Sequence, residues 1–143
     1  MAPKSRASRS ITLAMQLQDL RAHGFEGEIR KERLVCRGSV KPTVLSEPRR
    51  VRIEYSLKQL PKVFVEDPPL QQRDDQAGIP HTYPGPRPCL FWPVAHEWEA
   101  SDRISRTIVP WLLEWLVFYD VWLRTGEWLG GGIPHAPSHG KDD

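Results

Sequence analysis

Six prolines and two glycines fall between residues 68 and 88 (Pro68, Pro69, Gly78, Pro80, Pro84, Gly85, Pro86 and Pro88). This run limits the possible folds more than any other feature. Proline has no backbone N–H and holds φ near one value, so neither a helix interior nor a central strand can run through it. Residues 67–88 therefore read as a long irregular loop on a stiff course. A loop of that length inside a small chain is either functional or disordered.

The segments on either side differ in kind. Ahead of the loop, Leu13, Leu17 and Leu20 recur at helical spacing between Ser10 and His23. Ser10 or Thr12 can cap the start, and Gly24 stands where a helix stops. Strand signals follow: Phe25 to Arg30 weakly, then Arg33 to Val40 ("RLVCRGSV"), Val51 to Leu57 ("VRIEYSL") and Lys62 to Glu66 ("KVFVE"). The third alternates, with Val51, Ile53, Tyr55 and Leu57 on one face. Short connectors between successive strands predict an antiparallel meander.

After the loop, Ser101 and Asp102 are candidate N-caps for a helical pattern reaching about Thr125, with Pro110 breaking it or starting a second helix. "PWLLEWLVFYDVWLRTG" is apolar on nearly every face, with Trp111, Trp115, Phe118 and Trp122 in one stripe and Leu112, Leu116, Tyr119 and Leu123 in another. Such a helix is covered on most sides, and Gly126 ends it. Trp111, Trp115 and Trp122 read as core. The expected class is α+β: an N-terminal helix, about four antiparallel strands, a long loop and C-terminal helices packed on the sheet. The expected organisation is a basic, disordered lead over residues 1–9, one domain over 10–132 and a flexible tail over 133–143.

Charge is unevenly spread. Residues 1–62 hold 14 Lys and Arg against 6 Asp and Glu, whereas residues 63–143 hold 6 against 12. The first part can meet an acidic partner, or can simply be a solvated basic face. Arg49, Arg50 and Arg52 read by default as a solvated edge that discourages strand pairing. The apolar run from Val109 to Leu123 is broken by Glu114 and Asp120 and is too short and charged for a membrane span. No phosphate-cradling glycine motif or aromatic–basic interleaving is present, so nucleic acid is not an expected partner. Two cysteines, Cys36 and Cys89, make no disulfide framework, and no secretion signal is evident. A reducing, cytoplasmic location is the expectation.

"HTYPGPRPCLFWPVAHEW" (residues 81–98) carries the chemistry. A lone cysteine usually just packs. Cys89, however, ends a stiffened loop, where reactive groups tend to be placed. Pro86 and Pro88 restrict the backbone leading to it, and His81, Tyr83 and His96 flank it. A nearby imidazolium would stabilise the thiolate, the nucleophilic form of the thiol. A role as nucleophile requires a sulfur that solvent can reach. His81, Cys89, His96, His135 and His139 match no standard zinc spacing, so neither a metal nor any other cofactor is expected. Gly130, Gly131 and Gly132 read as a flexible or tightly turning loop.

The order of elements, with "YSLKQLPKVFVEDPPL", "HTYPGPRPCLFWP", a later Trp98 and a following helix, resembles the ubiquitin-conjugating enzyme fold over roughly residues 10–126. In that resemblance His81 matches the family histidine, Cys89 with Leu90 the active-site pair and Trp98 the later tryptophan. "TIVPWLLEWLVFYDVWLRTGEWLGGGIPH" is similar to a narrower group, the stand-alone bacterial conjugating-enzyme-like proteins of antiphage operons that also encode a cGAS-like nucleotidyltransferase. The chain departs from the family where Thr82 and Tyr83 replace the family's Pro and Asn, and its His-to-Cys spacing is shorter. Without that Asn the oxyanion donor is open among backbone N–H groups near Cys89, Tyr83 and His81.

The resemblance implies that Cys89 carries an acyl group as a thioester and passes it to a target amine, with the C-terminal tail of the nucleotidyltransferase as donor and a separate activating enzyme as a further candidate partner. The alternative is a catalytically inactive scaffold of the same fold that binds and regulates the nucleotidyltransferase.

Overall fold

The computed structural model describes residues 9–130. The expected lead before Arg9, the tail after residue 132, and Gly131, Gly132, His135 and His139 lie outside the described residues. The described chain runs α1 (Leu13–Ala22), β1 (Glu26–Arg30), β2 (Arg33–Val40), β3 (Arg49–Ser56), β4 (Gln59–Asp67), β5 (Thr82–Tyr83), β6 (Arg87–Pro88) and α2 (Ile108–Thr125), with short 3-10 turns at Pro93–Ala95 and Ile104–Arg106. The first four strands form one antiparallel sheet in sequence order, as the meander reading expects. The fold is α+β.

Thr12 is the cap of α1: its hydroxyl accepts the Met15 N–H at 3.1 Å. Alternation decides the sheet's two faces. Leu34, Cys36 and Val40 of β2, Val51, Ile53 and Tyr55 of β3 and Val63 of β4 point inward and are buried with Leu17 and Leu20 of α1. α2 closes the core with Ile108, Leu112, Leu116, Tyr119 and Trp122, each fully buried.

Several sequence expectations need correction. Leu57 does not join the inward row: β3 ends at Ser56, and Leu57, in the turn, is 52 % exposed. Arg49, Arg50 and Arg52 are not on an edge, because β3 lies between β2 and β4. Arg49 pairs with Asp120 at 3.2 Å and Arg52 with Glu54 at 2.9 Å. Ser101 and Asp102 do not cap the last helix. The Asp102 carboxylate accepts the Glu99 N–H at 2.8 Å, and a single α-helix begins only at Ile108, after Thr107, with no side-chain cap. Pro110 sits in its first turn, where a missing N–H costs nothing.

The proline-rich loop is also less irregular than expected. Its far end is the β5–β6 hairpin, and its near end is tied down along α2. The Tyr119 hydroxyl accepts the Gln71 N–H at 2.6 Å, Arg73 donates to the Leu123 carbonyl at 2.9 Å, and the Trp122 indole donates to the Gln76 side chain at 2.9 Å. Gly126 stops α2 with φ of 87°, a left-handed conformation that favours glycine.

Gln16 fastens the segment between the Cys89 loop and α2 to α1. Fully buried, it accepts the Ile104 N–H at 3.1 Å and donates to the Asp102 carbonyl at 2.8 Å. Gln16→Leu keeps the volume but leaves two backbone groups without partners. Urea denaturation should show a loss of about 2–4 kcal/mol. A change below about 0.5 kcal/mol would mean that the tie carries no stability.

Candidate active site

The eight-residue step from His81 to Cys89 is the geometry of a hairpin. Thr82 pairs with Pro88 and Tyr83 with Arg87, so the next pair outward is His81 with Cys89. The Cys89 N–H donates to the His81 carbonyl at 3.0 Å, and that same carbonyl accepts the Trp115 indole N–H at 3.1 Å. His81 has a φ of 53°, uncommon for a residue with a Cβ and found where surroundings over-determine the backbone. The Thr82 hydroxyl donates to the Ile79 carbonyl at 2.8 Å and holds the entry to the hairpin. Cys89 is thus fixed by backbone pairing on one side and by α2 on the other.

Cys89 lines an open cleft of about 450 Å³ whose far wall is aromatic. Trp111, Trp115 and Phe118 come from one face of α2, and Trp128 folds back after the Gly126 stop. The Trp128 ring centroid lies 5.1 Å from that of His81 and 5.3 Å from that of Trp115. Gly130 closes the rim at a point where a Cβ would fall 2.3 Å from the Phe118 ring, so only glycine fits. Glu97 and Glu114 supply carboxylates to the lining. Glu97 also accepts the Trp92 N–H at 2.7 Å, which braces the turn after Cys89.

The sulfur is not openly exposed. Cys89 is 2 % accessible and lines the cleft, whereas a role as nucleophile asks for a sulfur that solvent can reach. Burial pushes its pKa up to about 12, with partial relief from the Tyr83 hydroxyl, which hydrogen-bonds the thiol, and from the Arg87 charge. Burial also raises the Tyr83 phenol, and the Cys89 charge adds to the rise. Cys36, in the sheet, is pushed to about 11 by burial.

The sequence-derived residues are distributed as follows. His81 and Cys89 share the cleft, and Tyr83 meets the thiol from the hairpin. His96 is exposed in a left-handed conformation, φ 54°, closing the Pro93–Ala95 turn. The cation that relieves Cys89 is Arg87, which sequence reasoning passed over. Its guanidinium lies 5.1 Å from the Tyr83 ring centroid, directly across the hairpin. Trp128, Glu97 and Glu114 were missed too; of these only Trp128, in "TGEW" after a helix stop, carried a sequence signal. Among the proposed oxyanion donors, the Cys89 N–H is already committed to the His81 carbonyl. Among the described residues no three His, Cys, Asp or Glu side chains cluster as a metal site needs, and no helix is long and apolar enough to cross a membrane.

A thiol neutral at rest has a characteristic pH profile. The reactive thiolate fraction should grow about ten-fold per pH unit, so iodoacetamide alkylation of Cys89, followed by peptide mass spectrometry, should climb from pH 7 to 9 with no plateau. A plateau beginning near pH 7 would reveal an activated thiolate and contradict this electrostatic account.

A sequence model of the family described as "E2-CBASS: Type II CBASS E2 protein" matches residues 15–136. No curated protein matches the chain.

Proposed function

Because the chain belongs to the Type II CBASS E2 protein family, a conjugating-enzyme-like family of antiphage defence, we propose that Cys89 is a thioester acyl carrier. In this reading Cys89 transfers the C-terminus of a partner protein, the operon's cGAS-like nucleotidyltransferase, to a target amine. The observation that supports it is the braced position of Cys89 at the wall of a cleft large enough for an extended peptide tail.

The chemistry runs in two displacements. The Cys89 thiolate attacks the carbonyl carbon of an already activated acyl group. A C–S bond forms, and the activating group leaves with its electron pair. A neutral target amine then attacks the thioester: C–N forms, C–S breaks, and the proton that the amine nitrogen gives up goes to the departing Cys89 sulfur. Burial disfavours the charged thiolate but not the neutral thioester, so the environment that suppresses the free nucleophile suits the loaded form. A tail filling the aromatic cleft would also keep water from the thioester. Tyr83 is assigned the task of donating its hydroxyl hydrogen bond to negative sulfur, and Arg87 that of stabilising the same charge. His81 anchors the Cys89 amide through its carbonyl. His96 keeps a role only if a bound tail reaches the Pro93–Ala95 turn.

The low accessibility of Cys89 favours a second reading, a scaffold of the same fold that binds and regulates the nucleotidyltransferase without covalent chemistry. Trapping separates the two. Co-purified with its operon neighbours, a Cys89→Ser protein should retain its partner as an ester resistant to reducing agent. A scaffold gives no covalent species with either Cys or Ser at position 89.

A further inference from the structure

Residues 127–130 are held differently from the rest of the wall around Cys89. They follow the Gly126 stop of α2 and fold back, which sets Trp128 and Gly130 in the lining of the same cleft as Cys89. Ring packing keeps them there. Trp128 is partly buried, with its ring centroid 5.1 Å from that of His81, 5.3 Å from that of Trp115 and 6.1 Å from that of Phe118. Gly130 sits against the Phe118 ring. Among the described residues, no hydrogen bond reaches the backbone of Trp128, Leu129 or Gly130, whereas the Glu127 N–H is still tied to the Thr125 hydroxyl at 3.1 Å. Leu129 is 64 % exposed.

The side of the cleft that carries the thiol is built otherwise. Cys89 is fixed next to the β5–β6 pairing by the bond from its N–H to the His81 carbonyl. A segment tied by backbone bonds and one held by a few side-chain contacts open at different free energies, and the second opens first. Gly126 is itself fastened, its N–H donating to the Trp122 carbonyl at 2.7 Å, so movement begins beyond it. A sulfur only 2 % accessible requires some wall to move before a peptide acyl group arrives, and residues 128–130 are the part of the wall with the fewest ties.

We propose that residues 127–130 are a strap, latched by Trp128, that swings off the cleft to admit an acyl group to Cys89 and returns to keep water from the thioester. Segments that close over a reacting bond sequester it in this way and open again for release. Trp128 is a positioning residue: it acts on access to the sulfur, through its contact with His81 and the rings of α2. The identity of the guest rests on the acyl-carrier reading. The movement of the strap does not, because any thiol reagent must pass the same latch.

The test is the rate at which iodoacetamide alkylates Cys89 in the full chain at one fixed pH, read by peptide mass spectrometry. Trp128→Ala should raise that rate roughly ten- to hundred-fold, the worth of two or three lost ring pairs. Trp128→Phe, which keeps a ring, should restore most of the original rate. Gly130→Ala is an independent route to the same state. A Cβ there would run into the Phe118 ring, so the strap cannot seat, and the rate should rise several-fold with every aromatic side chain in place. Leu129→Ala should change nothing. Cys36, fully buried in the sheet, should stay unmodified in every variant, which reports an intact fold. Once loaded from a peptide thioester, Trp128→Ala should also lose its acyl group to water faster than the unaltered protein, releasing the peptide acid and the free thiol. An alkylation rate unchanged in both Trp128→Ala and Gly130→Ala would overturn the proposal, as would an equal rise in Leu129→Ala. Faster alkylation in both variants, from proteins that never accept the acyl group, would uphold the strap and remove the acyl-carrier reading alone.

Discussion

Cys89→Ala is expected to abolish acyl transfer by a factor on the order of 10⁴ or more, while costing the fold only about 1 kcal/mol. The asymmetry follows from the site. The Cys89 backbone N–H bond to His81 survives the substitution, so the hairpin register is kept, and only one sulfur leaves an otherwise unchanged wall. Cys89→Ser should separate chemistry from binding: it can form an ester but transfers from it slowly. Cys36→Ala provides the control. Cys36 is fully buried in the sheet, and its loss should lower stability without touching transfer. Equal loss of transfer in both alanine variants, at equal stability, would remove Cys89 from the mechanism.

Trp115→Ala should be among the most destabilising substitutions, at about 3–5 kcal/mol in urea denaturation. Trp115 is buried, stacks on Tyr119 with centroids 5.6 Å apart, touches Trp128 and donates to the His81 carbonyl. Against a total stability of about 5–15 kcal/mol for a domain of this size, that loss leaves a marginal fold. Trp115→Phe retains a ring and removes the N–H donor. It should cost about 1–2 kcal/mol and slow Cys89 loading more than it lowers stability, because the carbonyl that anchors the Cys89 amide loses its second donor. Near-neutral behaviour of Trp115→Ala would refute the packing account of the aromatic wall.

Much of this fold was legible because burial writes itself into local pattern. The alternation of Val51, Ile53 and Tyr55 with Arg52 and Glu54 gives β3 its faces, and Thr12 with Gly24 brackets α1 within a residue or two. Where the sequence misled, the deciding contact was distant. Asp102 has the chemistry of a helix cap, but its carboxylate is taken by Glu99, and the long-range bonds of Gln16 hold the chain in a 3-10 turn until Ile108. Arg49 to Arg52 resembled an edge because the carboxylates that pair with Arg49 and Arg52 include Asp120 and Glu66, remote in sequence.

At the site, proline density pointed correctly to a braced Cys89. The eight-residue step to His81 acquires meaning only once the hairpin is known. Whether the thiol is wet or dry depends on Trp111, Trp115 and Trp128 arriving from the last helix and beyond, which no local window reports.

The central claim, that a sulfur held in a dry wall still exchanges acyl groups through the cleft, is tested most directly by intact-mass spectrometry. The purified protein is incubated with a peptide thioester, then examined before and after a thiol is added. The account predicts a mass increase of one peptide acyl group, located on Cys89, absent in Cys89→Ala and reversed by thiol. An unmodified mass at every pH up to 9, with the fold intact, would contradict it and leave the family's fold here as a binding surface alone.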